Sequence, residues 1–527
     1  MKFNKLAVGL GAILLIFAGG CDLEVPNLNQ PETERVVALP ADLENLIWGG
    51  YNTYWKMTDD YLGLRPIISV ASMEHSAYPA NFGMVEYSLI PRRAVDNSPA
   101  HTFASHFEYT WYRSYRAIVA ASNGLKGLQT APLPGEGTLT SAQRTARAEA
   151  FSRFVQGVGH GALAMVYDKG VVFDETKSAL EEQPLVPYTD LFQAAMGYLD
   201  QAITLATNNT FTIPTTWTAG HATSNTALVR LARQYKAYYR ANLPRTPQDA
   251  VDWNSVIADI DAAGPVNMVF RGLPGDPWHT YGLYYISLAG WSQVHNALSG
   301  MSDQSGEYQK WMARPWLLRE PFLYVTPDKR FPQGATVAAQ QAAPGTYVMV
   351  PATPGGQWAR PDRGTWRWSY YRDRRHDAYV AALGGDQPHL TLRYMKLLKA
   401  EALYRTGDLA GAATIINETR VANGGLVATN AAGLNSNGVP KGLPTWAGFD
   451  ANGYGNLLEM LKWEFRMETY HHGFAPNYFN GRRWGDLMAG TFLHLPIPGK
   501  ELETLQKGAY TTGGGQPGSA PVGTYRY

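Results

Sequence analysis

The sequence predicts a mostly α-helical fold, with paired helices and a separate loop-rich part that contains short strands. Three observations support this prediction. Five segments repeat apolar residues at helical spacing. The fifth segment is interrupted by a Gly-Asp pair, which makes it a helical hairpin. Residues 265–385 instead crowd proline, glycine and aromatic side chains together, as irregular chain does.

The first four helical segments place apolar residues three and four positions apart, on one face of each predicted helix. These apolar residues are Phe107, Trp111, Tyr115, Ile118 and Val119, then Phe151, Val155, Val158, Ala162 and Met165, then Leu191, Ala195, Tyr198, Leu199, Ala202 and Ile203, then Leu228, Leu231, Tyr235 and Tyr238. Thr140 and Gln143 precede the second segment at capping-box spacing, so their side chains can satisfy free N–H groups at its start.

The fifth segment runs from Leu390 to Arg420, and Gly407-Asp408 divides it into two helices. Small residues such as Ala402 and Ala413 allow two antiparallel helices to approach closely, as in a tetratricopeptide unit. No strict period of about 34 residues recurs along the chain, so a regular solenoid is not expected. We predict helical pairs within a loop-rich globule.

The only cysteine of the chain, Cys21, follows an apolar segment that begins after Lys2 and Lys5. This segment is too short to span a bilayer, which takes about 20 residues. Its layout is that of a secretory signal, and the small residues before Cys21 resemble the end of a bacterial lipoprotein signal. We expect Cys21 to be acylated and to become the mature N-terminus. The alternative is an ordinary secretory signal.

The composition argues against nucleic acid as a partner. The formal net charge is only +1, and no run of Lys and Arg suggests nucleic-acid binding. Charged residues make up 17% of the chain, against about 25% in an ordinary soluble domain. The aromatic side chains, which include 15 Trp and 31 Tyr, are therefore a better indication of a binding site than the charged ones.

Three pairs of adjacent acidic residues are candidates for catalysis. They are Asp59-Asp60, Asp174-Glu175 and Glu181-Glu182. A glycosidase holds two carboxylates several ångströms apart across a sugar, whereas adjacent residues usually point apart, so a solvated surface is the better interpretation. The chain contains no nucleophile elbow, phosphate loop or zinc signature. We predict no catalytic residues, no cofactor and no metal ligands.

Two motifs near the C-terminus have a structural and a functional interpretation. Glu468 and His472 lie four residues apart, a spacing that could hold a metal, but a third ligand is not apparent. An ion pair or a helix-end histidine is favoured. Arg482 and Arg483 could bind an anion, but we expect them to brace carboxylates or carbonyls around a buried Trp484.

Aromatic residues in the predicted loops are the better candidates for a binding site. A sugar can pack its C–H face on Trp or Tyr while polar side chains bond its hydroxyls. The predicted ligand-binding residues are Trp278, Tyr281 and Tyr285 in one loop, Trp358, Trp366 and Trp368 in a second, and Tyr78 and Asn81 in a third. His279 and Tyr284 belong to the first of these platforms. The alternative is that many of these rings are buried packing.

The segment from Leu461 to Glu503 resembles the C-terminal signature of the SusD/RagB family. The matching residues are Glu464, Glu468, Gly473, Arg482-Arg483-Trp484-Gly485 and Leu495-Pro496-Ile497-Pro498. The Leu390–Arg420 hairpin and the alanine-rich segment Arg147–Asp168 are similar to helices that the family carries upstream. The lipoprotein signal fits as well, so the resemblance spans nearly the whole chain.

The resemblance implies a fold, a division of the chain and a function. It implies a SusD-like fold with tetratricopeptide-type helical pairs and a loop-rich ligand-binding face with short strands. Residues 1–20 would be the signal peptide, 21–250 the N-terminal helical region, 251–510 the C-terminal region packed against it as one unit, and 511–527 a Gly/Pro-rich tail. We expect this tail to be flexible, although Tyr525 or Tyr527 could dock.

The implied function is that of an outer-membrane lipoprotein, anchored by lipid and facing outside, which takes part in nutrient uptake. It would capture nutrient, most readily an oligosaccharide, and deliver it without chemistry to a SusC-like TonB-dependent barrel transporter. Two alternatives from other classes remain at this point. One is a cell-surface glycan hydrolase, and the other is a structural surface protein that assembles through its helical pairs.

Overall fold

A computed structural model describes residues 39–77, 83–178, 181–288, 291–352, 369–433, 456–523 and 525. The predicted signal segment and Cys21 lie outside these residues, as do Tyr78, Asn81, Trp358, Trp366 and Trp368. The described residues form 19 α-helices and eight short strands, which confirms the mostly α-helical class.

Nine helices precede residue 265. They are Pro40–Asp59 (α1), Arg65–Ala71 (α2), Met84–Ser88 (α3), Ser105–Thr130 (α4), Ser141–Val166 (α5), Tyr188–Asn208 (α6), Thr215–Thr218 (α7), Asn225–Asn242 (α8) and Trp253–Ala263 (α9). The four predicted N-terminal helices correspond to α4, α5, α6 and α8. Helix α5 packs between α4 and α6, and α1 packs on α4.

Ten helices follow. They are Gly282–Ser287 (α10), Asn296–Ser299 (α11), Glu307–Ala313 (α12), Val337–Ala342 (α13), Asp377–Ala382 (α14), Leu392–Thr406 (α15), Leu409–Arg420 (α16), Leu457–Thr469 (α17), Pro476–Trp484 (α18) and Gly499–Thr504 (α19). Most helices between residues 265 and 385 are short, as expected for a segment rich in Pro and Gly.

The strands form four antiparallel pairs. These are His75–Ala77 (β1) with Ser292–Val294 (β5), Lys169–Gly170 (β2) with Val186–Pro187 (β3), Val269–Gly272 (β4) with Gly385–Pro388 (β8), and Val348–Met349 (β6) with Arg372–Asp373 (β7). Three of the four pairs join or lie within the loop-rich part, so they fix the positions of its loops.

Local signals set the helix ends that the sequence predicted. The hydroxyl of Thr140 accepts a hydrogen bond from the N–H of Gln143, and the Gln143 side chain accepts one from the N–H of Thr140. Gly407 ends α15 with a φ of 96°, a left-handed conformation that glycine adopts without strain. Asp408 then caps α16 by accepting the N–H of Gly411. The helical hairpin is confirmed.

The basic pair near the C-terminus braces the core, as predicted. Arg482 donates to the backbone carbonyls of Met165, Leu493 and Asn242. Arg483 donates to both carboxylate oxygens of Glu401, at 2.7 and 3.1 Å. Trp484 is buried, and its indole N–H also donates to Glu401. These contacts tie α18 to the helices on both sides of it.

Glu468 forms a buried ion pair with Arg330, which is the structural interpretation that the sequence favoured. Glu468 also accepts hydrogen bonds from Tyr347 and Asn423, and Arg330 also pairs with Glu464. The structural interpretation of this helix therefore holds.

The tail packs on the body of the protein, so the prediction of flexibility is wrong for its described part. The N–H of Val95 donates to the carbonyl of Thr512, and residues 490–493 bond to the chain between residues 514 and 520. Tyr525 is buried and accepts a hydrogen bond from Arg466 while donating to Glu459. Tyr525 thus docks on the body of the protein, the possibility that the sequence left open for it.

Candidate functional site

The predicted ligand-binding residues Trp278 and Tyr281 differ in burial, although they lie only three positions apart in the sequence. Trp278 is 6% exposed, and its ring centroid lies 5.7 Å from that of Tyr51 and 5.3 Å from that of Phe270. Its indole N–H donates to the carbonyl of Thr216. The expectation that Trp278 forms a ligand platform is therefore corrected. It packs beneath the loop as a core residue.

Tyr281 and Tyr285, in contrast, belong to a continuous aromatic surface. We define the aromatic face as Tyr61, Tyr281, Tyr284, Tyr285 and Trp291. Tyr281 is 40% exposed, and the other four rings are half-buried. The ring of Tyr285 lies at the centre, with its centroid 4.9 Å from Tyr61, 5.3 Å from Tyr284 and 4.9 Å from Trp291.

Two members of the aromatic face, Tyr61 and Trp291, are not among the ligand-binding residues predicted from the sequence. Tyr61 lies between α1 and α2, about 220 residues before the loop that it contacts. Trp291 stands just before β5. A sequence signal existed for both, because Tyr61 lies two residues before Gly63 and Trp291 directly follows Gly290. That signal is weak without knowledge of which loops meet.

Strands β1 and β5 pair beside the aromatic face. Ala77, the last described residue before Tyr78, pairs with Ser292, the neighbour of Trp291. The described strand that precedes Tyr78 and Asn81 in the sequence therefore ends beside the aromatic face.

Buried polar groups hold the loop that carries Tyr281. The hydroxyl of Thr280 lies 2.6 Å from both Asp59 Oδ2 and Gln387 Oε1, and the Tyr379 hydroxyl donates to the Thr280 carbonyl. Asp59 also forms a buried ion pair with Arg65. The interpretation of the Asp59-Asp60 pair as solvated surface is therefore wrong for Asp59, because Asp59 anchors this loop.

Glycine is required at the start of α10. A Cβ atom on Gly282 would lie 1.9 Å from the backbone oxygen of Asp59, well inside van der Waals contact. This close approach sets the start of α10 directly against the end of α1. The tyrosines of α10 consequently project beside Tyr61, which follows α1.

Polar groups border the aromatic face. The Tyr109 hydroxyl donates to Asp60 Oδ2 at 2.6 Å, and the Arg113 guanidinium lies 4.6 Å from the centre of the Tyr109 ring. Burial and the Asp60 carboxylate raise the pKa of Tyr109, so its hydroxyl stays protonated and can donate. His279 packs against Tyr281 with its Nε2 2.7 Å from the carbonyl of Leu383. Apolar rings with a polar border suit a sugar, which has an apolar face and a hydroxyl rim.

A groove of about 690 Å³ lies near the other end of α1. Trp48, Trp217 and the edge of Trp278 contribute to its walls, together with Arg144 and Arg147. Both arginines pair with the buried carboxylate of Glu44. These charges are mutually satisfied.

The fold can be compared with known structures. No protein-family model matches the sequence, and no curated protein sequence matches it significantly. A SusD superfamily protein from Bacteroides vulgatus ATCC 8482 superimposes with a TM-score of 0.52 at 12% identity, over 86% of this chain and 89% of the other. The chain has a SusD-like fold.

Two further structures agree with this assignment. A SusD-like carbohydrate binding protein from Bacteroides fragilis NCTC 9343 matches with a TM-score of 0.52 at 13% identity, over 86% of this chain and 87% of the other. A laminarin binding SusD-like protein matches with a TM-score of 0.51 at 13% identity, over 92% of this chain and all of the other. The resemblance inferred from the C-terminal motifs is thus confirmed as a SusD-like fold.

Proposed function

We propose that the protein binds an oligosaccharide reversibly on the aromatic face and releases it unchanged. The observation that carries this proposal is the contiguity of five aromatic rings. The Tyr285 centroid lies within 5.3 Å of those of Tyr61, Tyr284 and Trp291, and Tyr281, the most exposed of the five, lies 6.5 Å from Tyr61. A sugar stacked on such rings buries its C–H face, while hydroxyl, carboxylate and imidazole groups at the border bond its rim.

The similar structures support the same ligand class. One is named as a carbohydrate binding protein and another as laminarin binding, and both share the SusD-like fold. We therefore take a glucan such as laminarin as the first probe, alongside other oligosaccharides.

Four carboxylates of the acidic pairs are engaged in contacts with other side chains, which argues against their use as a catalytic pair. Asp59 pairs with Arg65, and Asp60 accepts a hydrogen bond from the Tyr109 hydroxyl. Glu175 accepts two hydrogen bonds from Arg153, and Glu182 pairs with Lys507. A glycosidase would instead hold two carboxylates several ångströms apart across a sugar.

We infer that the protein acts at the outer membrane as a lipoprotein, anchored through Cys21, and passes its ligand to a SusC-like TonB-dependent barrel. The inference is supported by the sequence before Cys21 and by the SusD-like fold. No helix in the described ranges is both long and apolar enough to cross a membrane.

The test combines binding, turnover and partner capture. Purified protein is titrated with laminarin and other glycans by calorimetry, and we expect saturable binding with a Kd near micromolar, about −8 kcal/mol. Chromatography of the incubated glycan should show no cleavage. Release of shorter products would establish the hydrolase alternative. Failure to bind any glycan, together with failure to recover a barrel from outer membranes, would support the structural alternative.

A further inference from the structure

Three potential metal ligands meet below the surface, where the end of α17 approaches β7. Asp373 is the last residue of β7, His376 stands just before α14, and His471 follows α17 by two residues. One ligand atom from each lies within 4.8 Å of those from the other two. The closest recorded pair, Asp373 Oδ2 and His471 Nδ1, is 3.4 Å apart.

Three of the four histidine nitrogens in this cluster are buried without hydrogen-bond partners. His471 is 2% exposed, and neither of its ring nitrogens has a partner. The Nε2 atom of His376 also has none. A buried polar group left unsatisfied costs about 1–3 kcal/mol, and a bound ion is one of the recognised explanations for such a group.

The donor set specifies the kind of ion. Two imidazoles and one carboxylate match the His₂-carboxylate sets that bind Zn²⁺ with a fourth position open. Calcium prefers six to eight oxygen ligands, and magnesium keeps several waters, so neither suits this set. We propose that Asp373, His376 and His471 form a zinc site.

The charges around the cluster are compatible with a divalent cation. The guanidinium of Arg375 donates to both oxygens of Asp373, with its closest contact at 2.7 Å. It thereby orients the carboxylate, as outer partners of metal ligands do. Arg65 is the second guanidinium, and Asp59 and Glu74 are the other carboxyl groups. Three carboxyl groups therefore face two guanidiniums, so there is no excess of positive charge to repel an ion.

The backbone at His471 is held in an uncommon conformation that points to function. Its φ is 59°, in the left-handed region that costs a non-glycine residue about 1–3 kcal/mol. The Glu74 carboxylate accepts its N–H, and Arg65 donates to its carbonyl at 2.6 Å. Strain that neighbours hold in place in this way is characteristic of ligand sites, and here it sets the direction of the imidazole.

The test begins with wild-type protein made metal-free by EDTA and dialysis. It is titrated with ZnCl₂ by calorimetry, and separately with CoCl₂ by visible absorption. We expect one zinc ion per chain, a Tm that rises on zinc addition, and cobalt d–d absorption that zinc abolishes. The absence of saturable zinc binding by the wild type would overturn the proposal.

Variants then assign the ligands. His376→Leu removes one imidazole, and His471→Asn removes another while keeping a residue type that tolerates positive φ. Each should weaken zinc binding by more than about 100-fold, beyond the 10–100-fold effect of losing an outer partner. The matched control is His389→Leu, since His389 is also buried with both ring nitrogens unpartnered but is not part of the triad.

The control should keep wild-type affinity. Zinc binding that survives in His376→Leu would contradict the assignment. If His471→Asn does not fold, the wild-type titration and His376→Leu decide the question by themselves.

Discussion

The carboxylate of Asp59 and the guanidinium of Arg65 form an ion pair from which solvent is excluded on both sides. Asp59 is the last residue of α1, and Arg65 is the first of α2. Burial lowers the pKa of Arg65 to about 10, so the guanidinium is still charged at neutral pH. The same carboxylate accepts a hydrogen bond from the hydroxyl of Thr280, the neighbour of Tyr281. One buried pair thus joins the end of α1 to the aromatic face.

Asp59→Asn should destabilise the protein by about 3–5 kcal/mol, because it leaves the buried charge of Arg65 without its partner. The measurement is the midpoint of urea denaturation, followed by circular dichroism. Asp60→Asn is the control, since Asp60 is less buried and its carboxylate accepts hydrogen bonds only from neutral groups, the Tyr109 hydroxyl and the N–H of Leu62. If both variants had the same midpoint, the buried pair would not carry the stability assigned to it.

Tyr281→Ala should weaken glycan binding by about 1–2 kcal/mol, or roughly 5- to 30-fold in Kd, without changing the unfolding midpoint. The matched control is Tyr112→Ala, because Tyr112 is also 40% exposed but stands on α4 near Glu108 and Glu501. Calorimetric titration of both variants checks the prediction. Equal losses of affinity in the two would show that the aromatic face is not the binding surface.

Trp278→Ala should behave differently from Tyr281→Ala, since Trp278 is a core residue. Removing a buried tryptophan ring costs about 3–5 kcal/mol of stability. We expect a lower denaturation midpoint as the main effect, measured by urea titration. If the variant had wild-type stability and lost only glycan binding, Trp278 would belong to the binding site after all.

Ala402→Phe should lower the free energy of unfolding by about 1–3 kcal/mol. Ala402 is fully buried in α15, which packs on α16, so a larger side chain overpacks the hairpin. Ala410→Phe is the control, because Ala410 is exposed on α16. An unchanged midpoint for Ala402→Phe would show that the helices do not meet tightly at this position.

Acid should destabilise the protein partly through His160. One ring nitrogen lies 2.7 Å from the carbonyl of Gln156, and the other accepts the N–H of Phe173. Both bonds are satisfied only by the neutral imidazole. Burial lowers the pKa of His160 from 6.5 to about 4. The unfolded chain therefore binds a proton more readily between these values, and stability falls as the pH drops through this window.

His160→Gln should reduce this pH dependence, because glutamine can donate and accept without titrating. Between pH 7.5 and pH 5 the wild type should lose about 2 kcal/mol more stability than the variant. Urea denaturation at the two pH values measures the difference. Equal losses in the wild type and the variant would mean that His160 does not contribute.

Mass spectrometry of protein isolated from membranes should find Cys21 acylated and at the N-terminus. Burial of acyl chains contributes about 0.8 kcal/mol per CH₂, so several chains anchor a protein firmly. Cys21→Ala should move the protein into the soluble fraction. A membrane-bound Cys21→Ala protein, or an unmodified Cys21, would argue for an ordinary secretory signal.

The sequence by itself determined six of the described helices, because their signals are local. Apolar spacing, the Thr140 capping box and the Gly407 turn each act over a few residues, so α4, α5, α6, α8 and the hairpin could be predicted with their approximate ends. Arg482 and Arg483 were also predicted to brace the core, since a basic pair beside a buried tryptophan has few other options. The order of the C-terminal motifs was enough to indicate the SusD-like fold.

Only the tertiary structure decided which side chains form the sites. Trp278 and Tyr281 stand in one loop of similar composition, yet one ring is buried against Phe270 and the other is exposed. Tyr61 and Tyr285 meet because Gly282 lets α10 approach α1, and His376 meets His471 across almost a hundred residues. Burial and long-range proximity depend on how helices and loops pack against one another, and a local sequence pattern does not predict that packing.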